Sequence, residues 1–302
     1  MPTFREVAKL AYEHRKSHKV YRNNRSIERW NVIIEKYLNP TLGDIEISDI
    51  TTDDIVTALE PTWRSHSHTT SLARAIAKYI FGYAIRKKMY PQDGGNPAEW
   101  KDCISFDLPA INDIHTVQHR ESATVGEIQR IMPKLATSKF LTKKCLAFGI
   151  LCVGRASEWS QAKWSEIDFE ERVLHVPQNR CKVKLPDGFS IPLSVQAIKI
   201  LKSLPRTSEY VFDTKGKGKP IANSGLLQML KKQLPNHQSV TLHGCRSAFS
   251  SWCAETMQEP TLREACLMHI EGNKVSQAYQ RSELIEQRRP LMQAWADAIF
   301  HE

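Results

Sequence analysis

Helical periodicity fails between residues 91 and 119, and this interruption divides the chain into two parts. The stretch contains the sequence GGNP at residues 94–97 and a further proline, Pro109, which are typical of loops and linkers. Each flanking part of the 302-residue chain is long enough to bury its own core. We therefore expect a first domain over residues 1–107, a linker over residues 108–121 and a second domain over residues 122–302.

The first domain is predicted to be entirely helical. Apolar residues recur at intervals of three and four, and Thr3 with Glu6 forms a capping-box pattern at the start of the first helix. A second helix is expected to stop at the Asn39-Pro40 pair, because proline lacks the N–H that a continuing helix needs. The clearest helix runs over residues 69–89.

The polar side of that clearest helix is strongly basic. Its cationic residues are Arg74, Lys78, Arg86, Lys87 and Lys88. The pattern allows two interpretations, an ordinary hydrated helix face or a surface that contacts the DNA backbone. The residues of the helix alone do not decide between them.

The charge balance of the whole chain favours a polyanionic partner. The sequence contains 42 Lys and Arg against 33 Asp and Glu, which gives a formal charge of +9. The excess is concentrated between Arg180 and Lys232, where eleven basic residues stand against three acidic ones. Such a concentration suggests a surface that follows phosphate groups.

No stretch of the sequence predicts secretion or membrane insertion. The opening MPTFREVAKL is not a signal peptide, and the most apolar run, residues 145–154, is too short to span a bilayer. The seven cysteines are scattered without a CxxC pair, which predicts reduced thiols and neither a disulfide framework nor a zinc site. We expect a cytoplasmic protein with no membrane partner.

The second domain is predicted to be mainly α-helical with a small antiparallel β-sheet. Thr124 and Glu127 form the capping-box pattern of its first helix. Three short strands are expected over residues 164–168, 173–176 and 189–192.

Two loops of the second domain are rich in lysine. The first joins the second and third predicted strands and carries Lys182 and Lys184, and the second carries Lys215, Lys217 and Lys219. Each loop is interpreted either as a contact with phosphate or as a solvated turn.

Residues 243–279 carry a set of groups suited to phosphoryl transfer. They open with His243 and Arg246, continue to His269 and reach Tyr279 ten residues later. A phenol titrates near about 10 and is a poor nucleophile at neutral pH. Cations gathered around one phosphate would activate it and stabilise the charge of the transition state. Each residue alone fits an ordinary cap, ion pair or packed ring, whereas the ordered set indicates chemistry.

These motifs resemble those of a known family. The sequences HGCRS at residues 243–247, HIEGNKVSQAY at residues 269–279 and the following QRSELIEQRRPLMQAWAD resemble the C-terminal signature of phage-type integrases, which are tyrosine recombinases. They are most similar to the integrases of satellite prophages and genomic islands. The TFREVA opening and the LNPTLGDIEISDIT turn resemble the family's core-binding domain, a small helical bundle that clamps the DNA duplex.

The resemblance extends to the middle of the chain. Arg155 matches the first catalytic arginine of the family, and Glu158 matches the acid that supports the local structure. Lys182 takes the position of the catalytic lysine when the IPLS strand is aligned, with Lys184 as the alternative. Val153 departs from the pattern, because the family usually has glycine two residues before that arginine.

The resemblance implies a cleavage reaction that forms a 3′-phosphotyrosyl link and a free 5′-hydroxyl. The implied catalytic residues are Arg155, Lys182, His243, Arg246, His269 and Tyr279. The tyrosine attacks, the arginines hold the non-bridging oxygens, and the lysine protonates the leaving oxygen. His243 assists proton transfer at the tyrosine and His269 donates to the phosphate. No cofactor and no metal are expected, because the cations neutralise the charge.

Recombination is implied by the resemblance, whereas the residues themselves indicate only phosphotyrosine chemistry. A type IB topoisomerase would use nearly the same residues on one duplex, and a catalytically silent DNA-binding regulator of the same fold is the alternative outside enzymes. The complete residue set argues against the regulator, and the integrase-like tail after Tyr279 argues against the topoisomerase. The implied partners are specific sites on double-stranded DNA, further copies of the chain in a tetramer, and accessory DNA-bending proteins.

The two ends of the chain carry further expectations. Many phage integrases have an additional N-terminal domain that binds arm sites, whereas this chain starts directly at the core-binding helix. Near the other end, Pro290 is expected to begin a final helix whose apolar face is centred on Trp295. We expect residues after about Arg289 to pack into a neighbouring protomer on DNA, with docking on their own domain as the alternative.

Overall fold

The computed structural model describes residues 1–18, 25–91, 93–114, 122–181, 187–214, 216–269 and 284–301. The chain forms two compact units, unit 1 over Met1–Gln118 and unit 2 over His119–Glu302. None of the helices in this described part of the chain has the length and apolar composition needed to cross a bilayer.

Unit 1 is built from helices. Its α-helices are α1 (Phe4–His18), α2 (Arg25–Ile33), α3 (Asn39–Leu42), α4 (Thr52–Trp63), α5 (Ser67–Arg86) and α6 (Ile111–Ile114). A π-helical turn, Ile34–Leu38, joins α2 to α3, and short 3-10 turns occur at Ile47–Asp49 and Ile104–Phe106.

Reciprocal capping boxes start two of these helices. At α1 the predicted pair is present, because Thr3 N donates to Glu6 Oε2 at 2.9 Å and Glu6 N donates to Thr3 Oγ1 at 3.4 Å. At α4, Thr51 and Asp54 make the equivalent bonds at 2.8 and 3.4 Å. Each box satisfies N–H groups that a helix start would otherwise leave unbonded.

The predicted helix stop at Asn39-Pro40 is wrong. The N–H of Asn39 bonds to the carbonyl of Ile34, five residues back, and so completes the π-helical turn. Pro40 then lies at the start of α3, where a helix has no use for the missing N–H. The chain therefore remains helical as far as Leu42.

Aromatic side chains fill the core of unit 1. Phe4, Trp63 and Phe81 are almost completely buried, and the ring centroids of Phe4 and Phe81 lie 5.9 Å apart. Trp63 stacks on Trp100 with a centroid distance of 5.8 Å and donates its Nε1 proton to the carbonyl of Pro109 at 2.9 Å. These contacts attach the chain that follows α5 to the helical core.

Unit 2 is mainly helical with one small sheet, as predicted. Its α-helices are α7 (Val125–Ala136), α8 (Leu141–Cys152), α9 (Ala156–Ser160), α10 (Val195–Lys202), α11 (Asn223–Gln233), α12 (Leu242–Glu255), α13 (Pro260–Cys266) and α14 (Ile285–Phe300). Its strands are β1 (Ile167–Asp168), β2 (Val173–Val176) and β3 (Phe189–Pro192), in the order β1-β2-β3 with antiparallel pairing. The predicted fold class is confirmed.

The first strand of this sheet is shorter than predicted, whereas β2 and β3 coincide with the predicted strands. Residues 164–166 form a 3-10 turn instead of strand. Glu166 Oε2 accepts a hydrogen bond from Lys163 N at 3.0 Å and thereby closes that turn. Only the two residues of β1 remain to pair with β2.

The predicted helix break at Pro290 is also wrong. α14 begins at Ile285 and continues through Pro290 as one helix. Pro290 and Glu286 both lie on the exposed side, so water is available to the carbonyl that loses its helical N–H partner. The apolar contacts of the opposite side hold the helix together across the proline.

The apolar face of α14 belongs to the core of unit 2 in this single chain, which agrees with the alternative of docking on its own domain. Packing into a neighbouring protomer on DNA stays a prediction. Trp295 and Ile299 are fully buried. Trp295 donates its Nε1 proton to the carbonyl of Ile150 at 3.1 Å, and its ring lies 5.5 Å from Phe249 and 5.4 Å from Trp252. An aromatic cluster of this size stabilises the unit from within.

Candidate active site

A left-handed turn places Arg155 at the start of a helix. α8 ends at Cys152, and its C-cap Val153 has a φ of 55° and a ψ of 4°, which lie in the left-handed region. Glycine favours that region, and a β-branched residue is strained there. Val153 thus adopts the conformation suited to the glycine that the sequence pattern has at this position. Arg155 follows two residues later as the N-cap of α9.

Glu158 holds Arg155 through both of its carboxylate oxygens. Oε2 accepts from the backbone N–H of Arg155 at 2.6 Å, and Oε1 accepts from its Nη1 at 3.3 Å. Glu158 is fully buried, whereas the Arg155 side chain keeps 21% of its surface exposed. The carboxylate therefore fixes and partly neutralises a guanidinium that still reaches solvent.

Trp159 also supports this turn. Its Nε1 proton is donated to the carbonyl of Gly154 at 3.1 Å in a buried environment. Its ring lies so close to Gly149 of α8 that a Cβ there would stand 2.4–2.6 Å from three ring atoms. This role was not predicted from the sequence, because the two glycines that receive the indole have no distinguishing local pattern.

Arg246 is almost completely buried on α12. Its Nη2 donates to the carbonyl of Leu267 at 2.5 Å. Its Nε and Nη1 have no hydrogen-bond partner among the described residues. Burial and the charge of Arg155 lower the pKa of Arg246 to about 10, while Glu158 acts in the opposite direction. The guanidinium is therefore protonated at neutral pH and has buried N–H groups without an acceptor.

Arg155 and Arg246 meet the same turn of the chain. Arg246 donates to the carbonyl of Leu267, and Nη1 of Arg155 lies 3.4 Å from the sulfur of Met268. Met268 has a φ of 51°, which lies in the left-handed region, and it belongs to the turn that follows α13. His269 comes next, and the structure thus brings three of the predicted catalytic residues to one turn.

His269 is bound to Glu264, a residue that was not predicted from the sequence. Its Nδ1 lies 2.7 Å from Glu264 Oε2, and its backbone N–H donates to the Glu264 carbonyl at 2.9 Å. The other carboxylate oxygen accepts from Nε of Arg263 at 2.7 Å. Burial raises the pKa of Glu264, but the hydrogen bonds from His269 and Arg263 outweigh it and hold that pKa below its ordinary value.

His243 lies in the first turn of α12, the helix that also carries Arg246. The helix is capped by Thr241, whose Oγ1 accepts from the N–H of Gly244 at 3.0 Å. His243 itself is exposed. The positive end of a helix dipole and an exposed histidine together suit an anionic substrate.

Several predicted site residues cannot be placed relative to this turn. Lys182, Lys184, Lys215 and Tyr279 lie outside the described residues. Their roles stay predictions. In the part of the chain that the structure describes, no group of three or more His, Cys, Asp or Glu residues is arranged to hold a metal ion.

Two of the basic residues predicted on α5 are already bound within unit 1. Nη1 of Arg74 donates to the carbonyl of Ala98 at 3.0 Å, and its guanidinium lies 5.8 Å from the centroid of the Trp100 ring. Nζ of Lys78 forms an ion pair with Glu99 at 2.6 Å. These contacts give both cations a role in the fold of unit 1.

The other predicted basic residues that are described lie at the surface. Arg86 and Lys87 end α5 and are exposed, with Lys87 lying 5.9 Å from the centroid of the Tyr83 ring. Lys217 and Lys219 are exposed on a tight turn in unit 2. The N–H of Lys219 donates to Asp213 Oδ1 at 3.0 Å, so this turn has a defined backbone.

Comparison with protein-family models decides the family. The model described as the phage integrase family matches residues 122–284, more than half of the chain, and the model of the phage integrase central domain matches residues 4–103. The chain belongs to the phage integrase family. The resemblance noted from the motifs around His243 and Tyr279 is thereby confirmed.

Curated relatives are members of the same family. Prophage integrase IntA of Escherichia coli (strain K12) is 28% identical over 276 residues, with 88% of this chain and 63% of IntA covered. Prophage integrase IntZ of the same organism is 26% identical, with 88% of this chain and 64% of IntZ covered. This integrase-family chain therefore spans just under two thirds of the length of these relatives.

A solved structure has the same fold. The lambda integrase(75-356) dimer bound to a COC′ core site superposes with a TM-score of 0.67 at 16% sequence identity. The match covers 93% of this chain and 96% of that one. Both units of the family member described here therefore have counterparts in a known integrase fold.

Proposed function

We propose that this protein is a site-specific DNA recombinase that cleaves and rejoins DNA through a 3′-phosphotyrosyl intermediate at Tyr279. The observation that carries the proposal is the buried guanidinium of Arg246. It lies beside Arg155 and has two nitrogen donors without an acceptor among the described residues. Buried polar groups are rarely left unbonded, and a guanidinium left so indicates an absent anion.

A DNA phosphate is the anion that fits this pair. Two guanidinium groups offer planar sets of N–H donors, which match the two non-bridging oxygens of a phosphodiester. Both arginines carry charge at neutral pH, and the buried setting strengthens their attraction for a phosphate. Stabilising the negative charge that develops at phosphorus is the main requirement for catalysis of this reaction.

The proposed reaction forms one phosphoester bond for each one that it breaks. The Tyr279 oxygen forms a bond to phosphorus, the bond between phosphorus and the 5′ oxygen breaks, and the leaving oxygen takes a proton from Lys182. His243 assists removal of the tyrosine proton, and His269 donates a hydrogen bond to the phosphate. A 5′-hydroxyl from another strand then reverses the steps, so strands are exchanged without an energy-supplying cofactor.

The partners follow from the same proposal. The relatives are prophage integrases, and lambda integrase has been solved as a dimer on a core site and as a tetramer bound to a Holliday junction. We propose that this chain likewise acts as a tetramer on DNA in the bacterial cytoplasm, with accessory DNA-bending proteins. Basic residues of both units would contact the DNA backbone: Arg86, Lys87, Lys184, Lys215, Lys217 and Lys219.

Replacement of the nucleophile tests the proposal. The Tyr279→Phe variant removes only the attacking oxygen, so DNA binding should persist and covalent adducts should disappear. Labelled duplexes taken from the DNA that flanks the gene are mixed with protein, and SDS-resistant complexes are resolved on a denaturing gel. The matched control is Tyr210→Phe, which removes another phenol from unit 2 and should retain adducts.

Two outcomes would overturn the proposal. An SDS-resistant adduct formed by Tyr279→Phe would place the nucleophile elsewhere. Binding of the flanking duplexes by the wild type with no adduct at any time would indicate a DNA-binding protein without this chemistry.

A further inference from the structure

Glu264 makes three hydrogen bonds, two with His269 and one with Arg263. Its Oε2 lies 2.7 Å from His269 Nδ1, its carbonyl accepts from the His269 N–H at 2.9 Å, and its Oε1 accepts from Arg263 Nε at 2.7 Å. The Glu264 side chain is 13% exposed, whereas that of His269 is 44% exposed. A mostly buried carboxylate thus holds a histidine that faces solvent.

The chemistry of this contact determines which ring nitrogen is available. An ionised carboxylate accepts hydrogen bonds and donates none. Nδ1 must therefore carry a proton wherever it bonds to Glu264, and Nε2 is the nitrogen left for a substrate. The double attachment through side chain and backbone also restricts rotation of the ring. Glu264 remains ionised under mildly acidic conditions, because the bonds from His269 and Arg263 hold its pKa below its ordinary value against the effect of burial.

We propose that Glu264 is a positioning residue for His269, which it orients and holds in one tautomer so that Nε2 meets the DNA phosphate. This inference rests on the proposed function and adds to it a residue outside the predicted catalytic set. It assigns no contact between Glu264 and DNA. Its effect is on the rate of the chemical step and not on the affinity for the duplex.

The position of Glu264 within its helix separates this role from a purely structural one. α13 is capped at its other end by Glu259, whose carboxylate accepts from the N–H of Leu262 at 2.6 Å. Glu259 therefore stabilises the same helix without touching His269. The two glutamates form a matched pair, one for helix stability and one for the histidine.

The test compares Glu264→Gln with Glu259→Gln. The amide that the first change introduces can donate or accept, so it no longer fixes the proton on Nδ1. Single-turnover adduct formation at saturating DNA should fall roughly ten- to a hundredfold in Glu264→Gln, because a misplaced catalytic group costs rate on this scale. Glu259→Gln should lower the melting temperature and leave the rate at the wild-type value. Glu264→Asp, which keeps the charge on a shorter side chain, should give an intermediate rate.

A double-mutant cycle supplies the readout that a structural role would not change. If Glu264 acts through His269, adding Glu264→Gln to His269→Gln should change the rate by less than about twofold, because the orienting bond has already been lost. DNA affinity, measured by gel shift with the same flanking duplexes, should stay at the wild-type value in Glu264→Gln and in Glu259→Gln.

The possible failures are distinguishable. If the wild type forms no covalent adduct, the proposed function fails and Glu264 has no reaction to assist. If the wild type forms adducts and Glu264→Gln forms them equally fast, the positioning role is wrong while the proposed function stands. If the rate losses of the two single variants multiply in the double variant, Glu264 acts independently of His269 and the inference is overturned.

Discussion

The cations of the two units are held in opposite ways. In unit 2, Arg246 is buried beside Arg155 with nitrogen donors that have no acceptor among the described residues. In unit 1, Arg74 is bonded to a backbone carbonyl and Lys78 to Glu99. The sequence predicted a contact with DNA for both sets, from motifs for the arginines of unit 2 and from the basic side of one helix for the cations of unit 1. The structure thus distinguishes cations that are bonded within the protein from a cation whose free donors are available to a ligand.

The difference has an energetic side. Burial lowers the pKa of Arg246 from 12.5 to about 10, so keeping it protonated costs folding about 3 kcal/mol at every pH below that value. The cost falls only as the pH rises above about 10, where the buried group begins to lose its proton. The surface pair of unit 1 carries no comparable cost, because Lys78 and Glu99 remain partly hydrated. A cost of this kind is retained where function requires it.

The largest difference between the buried arginines of unit 2 and the paired cations of unit 1 is expected when an arginine of each set is replaced by lysine. Arg246→Lys keeps the charge and loses the planar set of donors, so adduct formation should fall by about 10²- to 10³-fold. Arg74→Lys should leave the cleavage rate at the wild-type value and lower the free energy of unfolding by about 1 kcal/mol, because one hydrogen bond is lost. Single-turnover cleavage and thermal unfolding measure the two effects.

If Arg246→Lys forms adducts at the wild-type rate, the proposed difference between the cations of the two units is wrong. Such a rate would mean that the unpaired donors of Arg246 do not meet the phosphate. A slow Arg74→Lys variant with normal stability would place Arg74 in the reaction and have the same effect on the comparison.

A smaller effect is expected from Trp159, which supports the turn before Arg155. Trp159→Phe deletes the hydrogen bond to the Gly154 carbonyl and leaves that buried carbonyl unbonded, at a cost of about 1–3 kcal/mol in stability. The turn at Val153 then loses a restraint, so the cleavage rate should fall roughly tenfold.

Trp252→Phe is the control for this change, since it removes an indole from another part of the same core. It should lower the melting temperature without slowing cleavage. Equal cleavage rates for the two tryptophan variants would show that Trp159 contributes to packing alone.

The smallest effect concerns unit 1 and the salt dependence of binding. Arg86 is exposed with no hydrogen bond or ion pair to any described residue, whereas Lys78 is paired with Glu99. Arg86→Gln should reduce the slope of log affinity against log salt by about 1, and Lys78→Gln should leave it unchanged. The slope is measured by titrating flanking duplexes at several salt concentrations. If only Lys78→Gln reduced the slope, Lys78 and not Arg86 would be the residue that contacts DNA phosphate.

Local patterns predicted much of the fold. The capping boxes at Thr3 and Thr124 are present, and β2 and β3 coincide with the predicted strands. These features depend on residues within a few positions of one another, so the sequence displays them directly. The predictions at Asn39-Pro40 and Pro290 were wrong, because a π-helical turn in one case and an exposed carbonyl in the other accommodate the missing N–H.

Only those site residues that belong to sequence motifs could be predicted. Arg155, Arg246 and His269 were named from ordered motifs, and the structure brings them to the turn at Leu267 and Met268. Trp159 and Glu264 were missed, because their contacts are made through space with residues that have no distinguishing pattern. The absence of acceptors around Arg246 among the described residues could not be predicted either, since it depends on packing from several elements.

The turn at Leu267 and Met268 is held by the same guanidinium groups that a phosphate would occupy. The guanidinium of Arg246 holds the Leu267 carbonyl through Nη2, while its Nε and Nη1 are the donors that would meet an anion. If phosphate binding changes the conformation of the turn, then by thermodynamic reciprocity the conformation of the turn changes the affinity for phosphate by the same factor. The chain runs from this turn through His269 to Tyr279, so a change of the turn on anion binding would reach the start of the segment that carries the nucleophile.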